Sequence, residues 1–291
     1  MIGYDKILFF DTETTGIPGR DADWKTDYET FPRICQLSWI LNGREENHII
    51  RPDGWEIPQE ATDVHGITTE RALTEGEPLV NVIGQFIEDC HNAELICGHN
   101  LYFDTSTIKS ELMRYGMYDM LDAETALFKG KRIDTMRPSM KWVGATFSNG
   151  RLKFPKLEEL YARCFPGETF PAHDAICDVR AVARCLPVLV DNGIITLAVK
   201  EYPAVQVDPS IAPNPQGAAI DVCKKAAQAA ETMANFAEQA KKAGNGPISD
   251  AKPKDDKLHV ESAKGPQIEN SAKITDAKND LVAAMMADDN F

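Results

Sequence analysis

Three strand-length runs, residues 7–10, 34–41 and 47–51, come before the first helix-length amphipathic stretch of this 291-residue chain. Asn42-Gly43 supplies a hairpin turn between the second run and the third, so those strands are antiparallel. From Leu79 onward the period changes. Leu79, Val82, Ile83, Phe86 and Ile87 recur at spacings of three and four, which predicts a helix over 79–90. A short strand at 95–97, a helix over 104–115, a strand at 132–135 and helices over 157–165 and 174–191 follow. Antiparallel strands first, then strands alternating with helices, make a mixed sheet of the α/β class and exclude the purely parallel order of a Rossmann domain. One such domain is expected over residues 1–200.

Beyond it the composition shifts. Pro203, Pro209, Pro213 and Pro215 fall within thirteen residues, and proline cannot donate to a strand ladder, so 201–217 reads as a linker. Over 218–243, Ile220, Cys223, Ala227, Ala230, Ala234 and Ala237 predict an Ala-rich helix. Alanine at those positions buries little area, so a solvated single helix competes with a coiled coil. Residues 244–272, rich in Lys, Asp, Gly, Pro and Ser, are expected to be a disordered linker. Residues 273–291 regain apolar spacing at Leu281, Val282, Met285 and Met286, a short helix ahead of the acidic tip Asp288-Asp289-Asn290-Phe291.

Acidic side chains number 45 against 31 basic ones, a formal charge of -14, most of it in the first 200 residues. That balance argues against a plain electrostatic nucleic-acid binder, which needs a basic surface to neutralise phosphates. No run approaches the roughly 18–20 apolar residues of a membrane span, and Met1-Ile2-Gly3-Tyr4-Asp5-Lys6 lacks the apolar segment of a signal peptide. A soluble cytoplasmic protein with no membrane partner is expected. The seven cysteines are odd in number and form no C-x-x-C pair, which predicts reduced thiols and neither a zinc ribbon nor a disulfide framework.

Three segments carry the chemistry. In Phe10-Asp11-Thr12-Glu13-Thr14-Thr15-Gly16, Asp11 and Glu13 alternate at the end of an apolar strand and therefore share one face. Two carboxylates so close repel unless a cation lies between them, and oxygen-only ligation favours Mg²⁺ or Mn²⁺ over zinc. A solvated acidic turn is the competing reading. In Gly98-His99-Asn100-Leu101-Tyr102-Phe103-Asp104 the aspartate opens a helix, where it would serve either as an N-cap or as a further ligand. In His173-Asp174-Ala175-Ile176-Cys177-Asp178, His173 lies just before a helix and Asp178 on its second turn, placed either for the same site or as ordinary polar surface.

Taken together, F-D-x-E-T-T-G, H-N-x-x-F-D some 90 residues later and H-D-A-x-x-D resemble the DEDDh (DnaQ-like) 3′–5′ exonucleases, a family that includes the proofreading epsilon subunit of bacterial DNA polymerase III. The resemblance covers about residues 5–195 and extends to Val64-His65-Gly66-Ile67-Thr68, similar to the family's loop near the 3′-terminal nucleotide. It also covers Asp134, at the place of a structural aspartate that precedes the fifth strand. It implies a ribonuclease H-like mixed five-stranded sheet with helices on both faces. It further implies hydrolysis of DNA from single-stranded or frayed 3′ ends to nucleoside 5′-monophosphates, with RNA 3′-end trimming as the substrate alternative.

By the same resemblance Asp11, Glu13, Asp104 and Asp178 hold two Mg²⁺ ions, replaceable by Mn²⁺, and His173 is the general base. Thr12, Thr14, His65, Ile67 and Phe103 are the implied substrate contacts, with packing beneath the loop as the competing role for His65 and Phe103. The basic stretch 132–156, containing Arg137, Lys141, Arg151, Lys153 and Lys156, is a candidate path for the phosphate backbone or else a solvated charged face. The tail would dock a DNA polymerase or another replication or repair protein, or act as an interaction module in its own right, or be a disordered end. Site-borne cations would reconcile nuclease chemistry with the acidic charge, leaving a weak grip on the strand elsewhere.

Overall fold

The computed structural model describes residues 2–117 and 131–197; the tail segments 201–217, 218–243, 244–272 and 273–291 assigned from sequence lie outside the described residues. Five strands, β1 (Ile7–Thr14), β2 (Ile34–Leu41), β3 (Arg44–Ile49), β4 (Leu95–Gly98) and β5 (Arg132–Asp134), form one sheet in the order β3-β2-β1-β4-β5. The pairs β1–β2 and β2–β3 are antiparallel, whereas β1–β4 and β4–β5 are parallel. The mixed sheet expected from the run order is therefore present, and Asn42 and Gly43, at φ 52° and 74°, make the tight hairpin turn.

Seven α-helices lie among the described residues: α1 (Gln59–His65), α2 (Thr69–Glu75), α3 (Leu79–Asn92), α4 (Leu101–Arg114), α5 (Met136–Val143), α6 (Leu157–Cys164) and α7 (Ala175–Asp191). Alternation along β1 divides two cores. Ile7 and Phe9 pack with Leu160, Tyr161, Val179, Val182 and Leu186 of α6 and α7. On the opposite face Phe10 meets Phe86 of α3 at 4.9 Å, and Trp39 meets the same ring at 5.5 Å. Trp39 is fully buried, yet its indole N–H donates to Asp89 at 2.7 Å, so no polar atom is stranded. Each such fully buried large side chain stabilises the fold by about 1.5–3 kcal/mol.

The helix starts differ from expectation in ways that matter for the site. α4 begins at Leu101, three residues earlier than the sequence predicts, with Asn100 in the left-handed conformation as its N-cap. Asp104 is thus inside the first turn and is not the cap. α7 begins at Ala175, so Asp178 lies on its first turn and not its second. Asp134 closes β5 and does not precede it. Its carboxylate accepts from the N–H groups of Asn100, Leu101 and Met136 at 3.2, 3.0 and 2.8 Å, satisfying the exposed amides at the starts of both α4 and α5.

Gly98 makes the turn into α4 possible. A Cβ there would lie 2.8 Å from a Leu101 methyl and 3.3 Å from the Phe10 carbonyl oxygen, so β4 can approach β1 this closely only without a side chain.

Candidate active site

β1 pairs with β2 as far as Thr14, but with β4 only as far as Phe9. Beyond Phe9 the two parallel strands part, and the opening between their carboxyl ends is where α/β sheets bind ligands. Asp11 and Glu13 continue the face of Ile7 and Phe9, the face that α7 covers. Opposite them on β2 stand Ser38 and Gln36. The register slips between Glu13 and Thr14, a bulge that leaves Cys35 as the extra residue of β2.

One ligand atom each from Glu13, His173 and Asp178 lie within 4.8 Å of one another. Glu13 is 7% exposed. The donor set, two carboxylates and an imidazole, fits a divalent cation; opposed ligands around Mg²⁺ at roughly 2.1 Å sit about 4.2 Å apart, so little closure is needed. Asp11 and Asp104 fall outside that group of three. The Cys35 thiol beside the bulge is pushed up by burial first, and then by the charges of Glu13 and Glu111.

Asp104 is 2% exposed and is held from β1: its Oδ1 accepts from the Thr12 N–H at 3.1 Å and the Thr12 hydroxyl at 2.7 Å. Both the N–H and the hydroxyl of Thr12, which the resemblance implies as a substrate contact, are thus engaged with Asp104. The Thr14 hydroxyl donates to the Gly16 carbonyl at 2.7 Å. His173 has φ 66°, the left-handed region that histidine enters more readily than most residues, and its N–H donates to Asp178 Oδ2 at 3.3 Å. The His173 ring also lies 3.7 Å from Glu158 Oε1 of α6.

The loop residues are placed less openly. His65 ends α1 and accepts from the Ile67 N–H through Nδ1 at 3.1 Å. Ile67, 2% exposed, packs with Cys35, Ile57, Ala61 and Ala72, and Phe103 is buried on α4. In the basic stretch, Lys153 pairs with Glu159 at 3.0 Å.

Sequence reasoning passed over Gln36. Its side chain reaches Asn47 and the start of α7, and the signal was there: Gln36 and Ser38 alternate with the buried Cys35, Leu37 and Trp39, marking one polar face on a central strand.

A mixed five-stranded sheet with Glu13, Asp178 and His173 in one cluster is an arrangement able to hold a divalent cation. The exonuclease family RNase_T matches residues 8–186, and the chain belongs to that family. Solved structures similar to the chain include an exonuclease I from Methylocaldum szegediense (20% identity, TM-score 0.48, covering 64% of this chain and 40% of that one). E. coli exonuclease I in complex with a dA16 oligonucleotide is 21% identical, with TM-score 0.48 and the same coverages. An exonuclease I bound to the inhibitor BCBP is 20% identical, with TM-score 0.50, over 64% and 41% of the two chains. The likeness at TM-score 0.50 shows a shared fold, and the match spans about two fifths of those proteins' length. No curated protein matches the sequence.

Proposed function

We propose that the chain is a metal-dependent 3′–5′ exonuclease that shortens single-stranded or frayed DNA ends and releases nucleoside 5′-monophosphates. The observation that carries the proposal is the convergence of Glu13, His173 and Asp178 within 4.8 Å, inside a domain of exonuclease family. Asp11, Glu13, Asp104 and Asp178 would hold the divalent cations; Mg²⁺ is the expected ion. Bound there, the cations would supply charge stabilisation at the phosphoryl oxygens and a water of lowered pKa.

The chain's own residues do the rest. His173 takes a proton from the attacking water, a role suited to a side chain whose unperturbed pKa is about 6.5. Thr12 fixes the Asp104 carboxylate, and the Asp178 carboxylate fixes the His173 backbone. The Thr12–Thr14 strand end and His65 receive the terminal nucleotide, with Ile67 and Phe103 packed beneath them. Residues 1–200 carry the activity, and the acidic segment Asp288-Asp289-Asn290-Phe291 takes a replication or repair protein as partner.

The test is the purified protein with 5′-labelled single-stranded DNA, duplex DNA and RNA, in Mg²⁺ or Mn²⁺, beside Asp11→Ala. A ladder shortening from the 3′ end of DNA, absent with Asp11→Ala, is expected. Preferential loss of the RNA reassigns the substrate, and internal cuts or full activity of Asp11→Ala overturn the reading.

A further inference from the structure

We infer that Gln36 is a positioning residue for His173, an inference that rests on the base role proposed above. Gln36 lies directly across from Glu13 in the β1–β2 register, on the face that α7 covers. Its Oε1 accepts the Ala175 N–H at 3.2 Å, and its Nε2 donates to Asp174 Oδ1 at 3.1 Å and to Asn47 Oδ1 at 2.8 Å. The amide can face only one way. A backbone N–H can only donate and an ionised carboxylate can only accept, so both ends of the amide are chosen by their partners.

Asn47 is fixed in turn. Its Oδ1 also accepts from the Ser38 hydroxyl at 2.7 Å, so the amide of Gln36 is anchored to β3 and β2 together. Anchored in this way, it holds the two residues that follow His173. The residue it positions needs holding: His173 has φ 66°, a conformation that costs a side-chain-bearing residue and persists only where the surroundings over-determine it. Asp178 holds His173 from its own N–H, and Gln36 holds the chain immediately after it. The separation between the His173 ring and Glu13 is therefore set through the β1–β2 pair, because Gln36 and Glu13 are cross-strand neighbours.

The experiment is steady-state turnover of the full chain on 5′-labelled single-stranded DNA in Mg²⁺, for Gln36→Met, His173→Ala and the double variant. Gln36→Met keeps length and volume and removes all three hydrogen bonds. It should lower kcat by roughly 10- to 100-fold through misplacement of the imidazole, with KM changed less than about twofold. In the His173→Ala background the same change should cost less than about twofold, because a residue acting through His173 is silent in its absence. Equal losses in both backgrounds mean a merely structural role and overturn the inference, as does wild-type turnover of Gln36→Met. If Gln36→Met does not fold, the exchange of donor and acceptor decides. Gln36→Glu, which sets two carboxylates against each other, should be inactive, and Gln36→Glu with Asp174→Asn should recover activity; no recovery overturns the inference. Wild-type turnover of His173→Ala alone instead removes the base assignment, and is read separately from the Gln36 arms.

Discussion

Thr12 holds the carboxylate of Asp104 twice, through its backbone N–H at 3.1 Å and its hydroxyl at 2.7 Å, across 92 residues of sequence. The N–H is supplied by any residue at this position, whereas the hydroxyl is specific to threonine or serine. Thr12→Val therefore removes one hydrogen bond to a buried charged group at nearly constant shape. It is expected to cost about 1.5–3 kcal/mol in urea unfolding and to lower kcat, with Thr12→Ser restoring most of both. Unchanged turnover in Thr12→Val would show that the second bond does not place Asp104.

Metal removal tests the carboxylate cluster in two directions. EDTA should abolish activity, and a divalent cation at a hundredfold excess over its Kd should add about 2.7 kcal/mol to stability. Glu13→Gln relieves like-charge repulsion with Asp178 within the 4.8 Å cluster. The metal-free variant should therefore melt higher than the metal-free parent while losing the metal-induced rise. Calorimetry with and without Mg²⁺ measures both; a lower metal-free Tm for Glu13→Gln contradicts the repulsion argument.

Buried and surface ion pairs should behave differently. Glu111, 1% exposed, accepts from Arg33 Nε at 2.9 Å and the Ile34 N–H at 3.1 Å and lies 3.2 Å from Arg114, whose guanidinium pKa burial lowers. Glu111→Ala leaves Arg114 buried without its counter-charge and should cost about 3–5 kcal/mol in chemical unfolding. Arg180 and Glu45 pair on the surface, so Arg180→Ala should cost no more than about 1 kcal/mol. Equal effects would mean that burial does not govern these pairs.

Thiol chemistry reports the same burial. Cys97 is pushed well up by burial and then by Asp134, and Cys35 is raised as described above. Cys164 is lowered, chiefly by its hydrogen bond with Cys185, with Arg163 adding to the effect against burial. Because the thiolate is the nucleophile, Cys164 should alkylate first among these three, its rate rising at a lower pH than a free thiol's. Peptide mass mapping after brief iodoacetamide treatment checks the order; early labelling of Cys35 or Cys97 would contradict the packing.

Most of the sheet was readable because each strand carries its own signal, although β3 runs over Arg44–Ile49 where 47–51 was expected. Residues 34–41 are a strand as expected, and Asn42-Gly43 turns where it should. β1 runs on to Thr14 because pairing with β2 buries polar residues that, in one dimension, resemble a loop. Helices α1, α2 and α5 went unread: α1 and α2 span seven residues with one buried residue each, and α5 holds Pro138 in its first turn. The candidate catalytic residues stood out because ionisable side chains at fixed spacings are conspicuous. Gln36 did not, since its importance lies in Asn47, Asp174 and Ala175, which only the fold brings to it.

Asp134 takes no part in the proposed chemistry, yet its one carboxylate fixes where two helices begin. Asp104 sits a single turn beyond one of those origins. The spacing of the proposed catalytic carboxylates is thus indexed to a residue on the far side of β4, and any change that loosens the Asp134 node shifts the candidate site and the α5 packing in step. Variation in this chain can tune the outer surface of α5 freely, but cannot move its start without also moving the turn of α4 that carries Asp104.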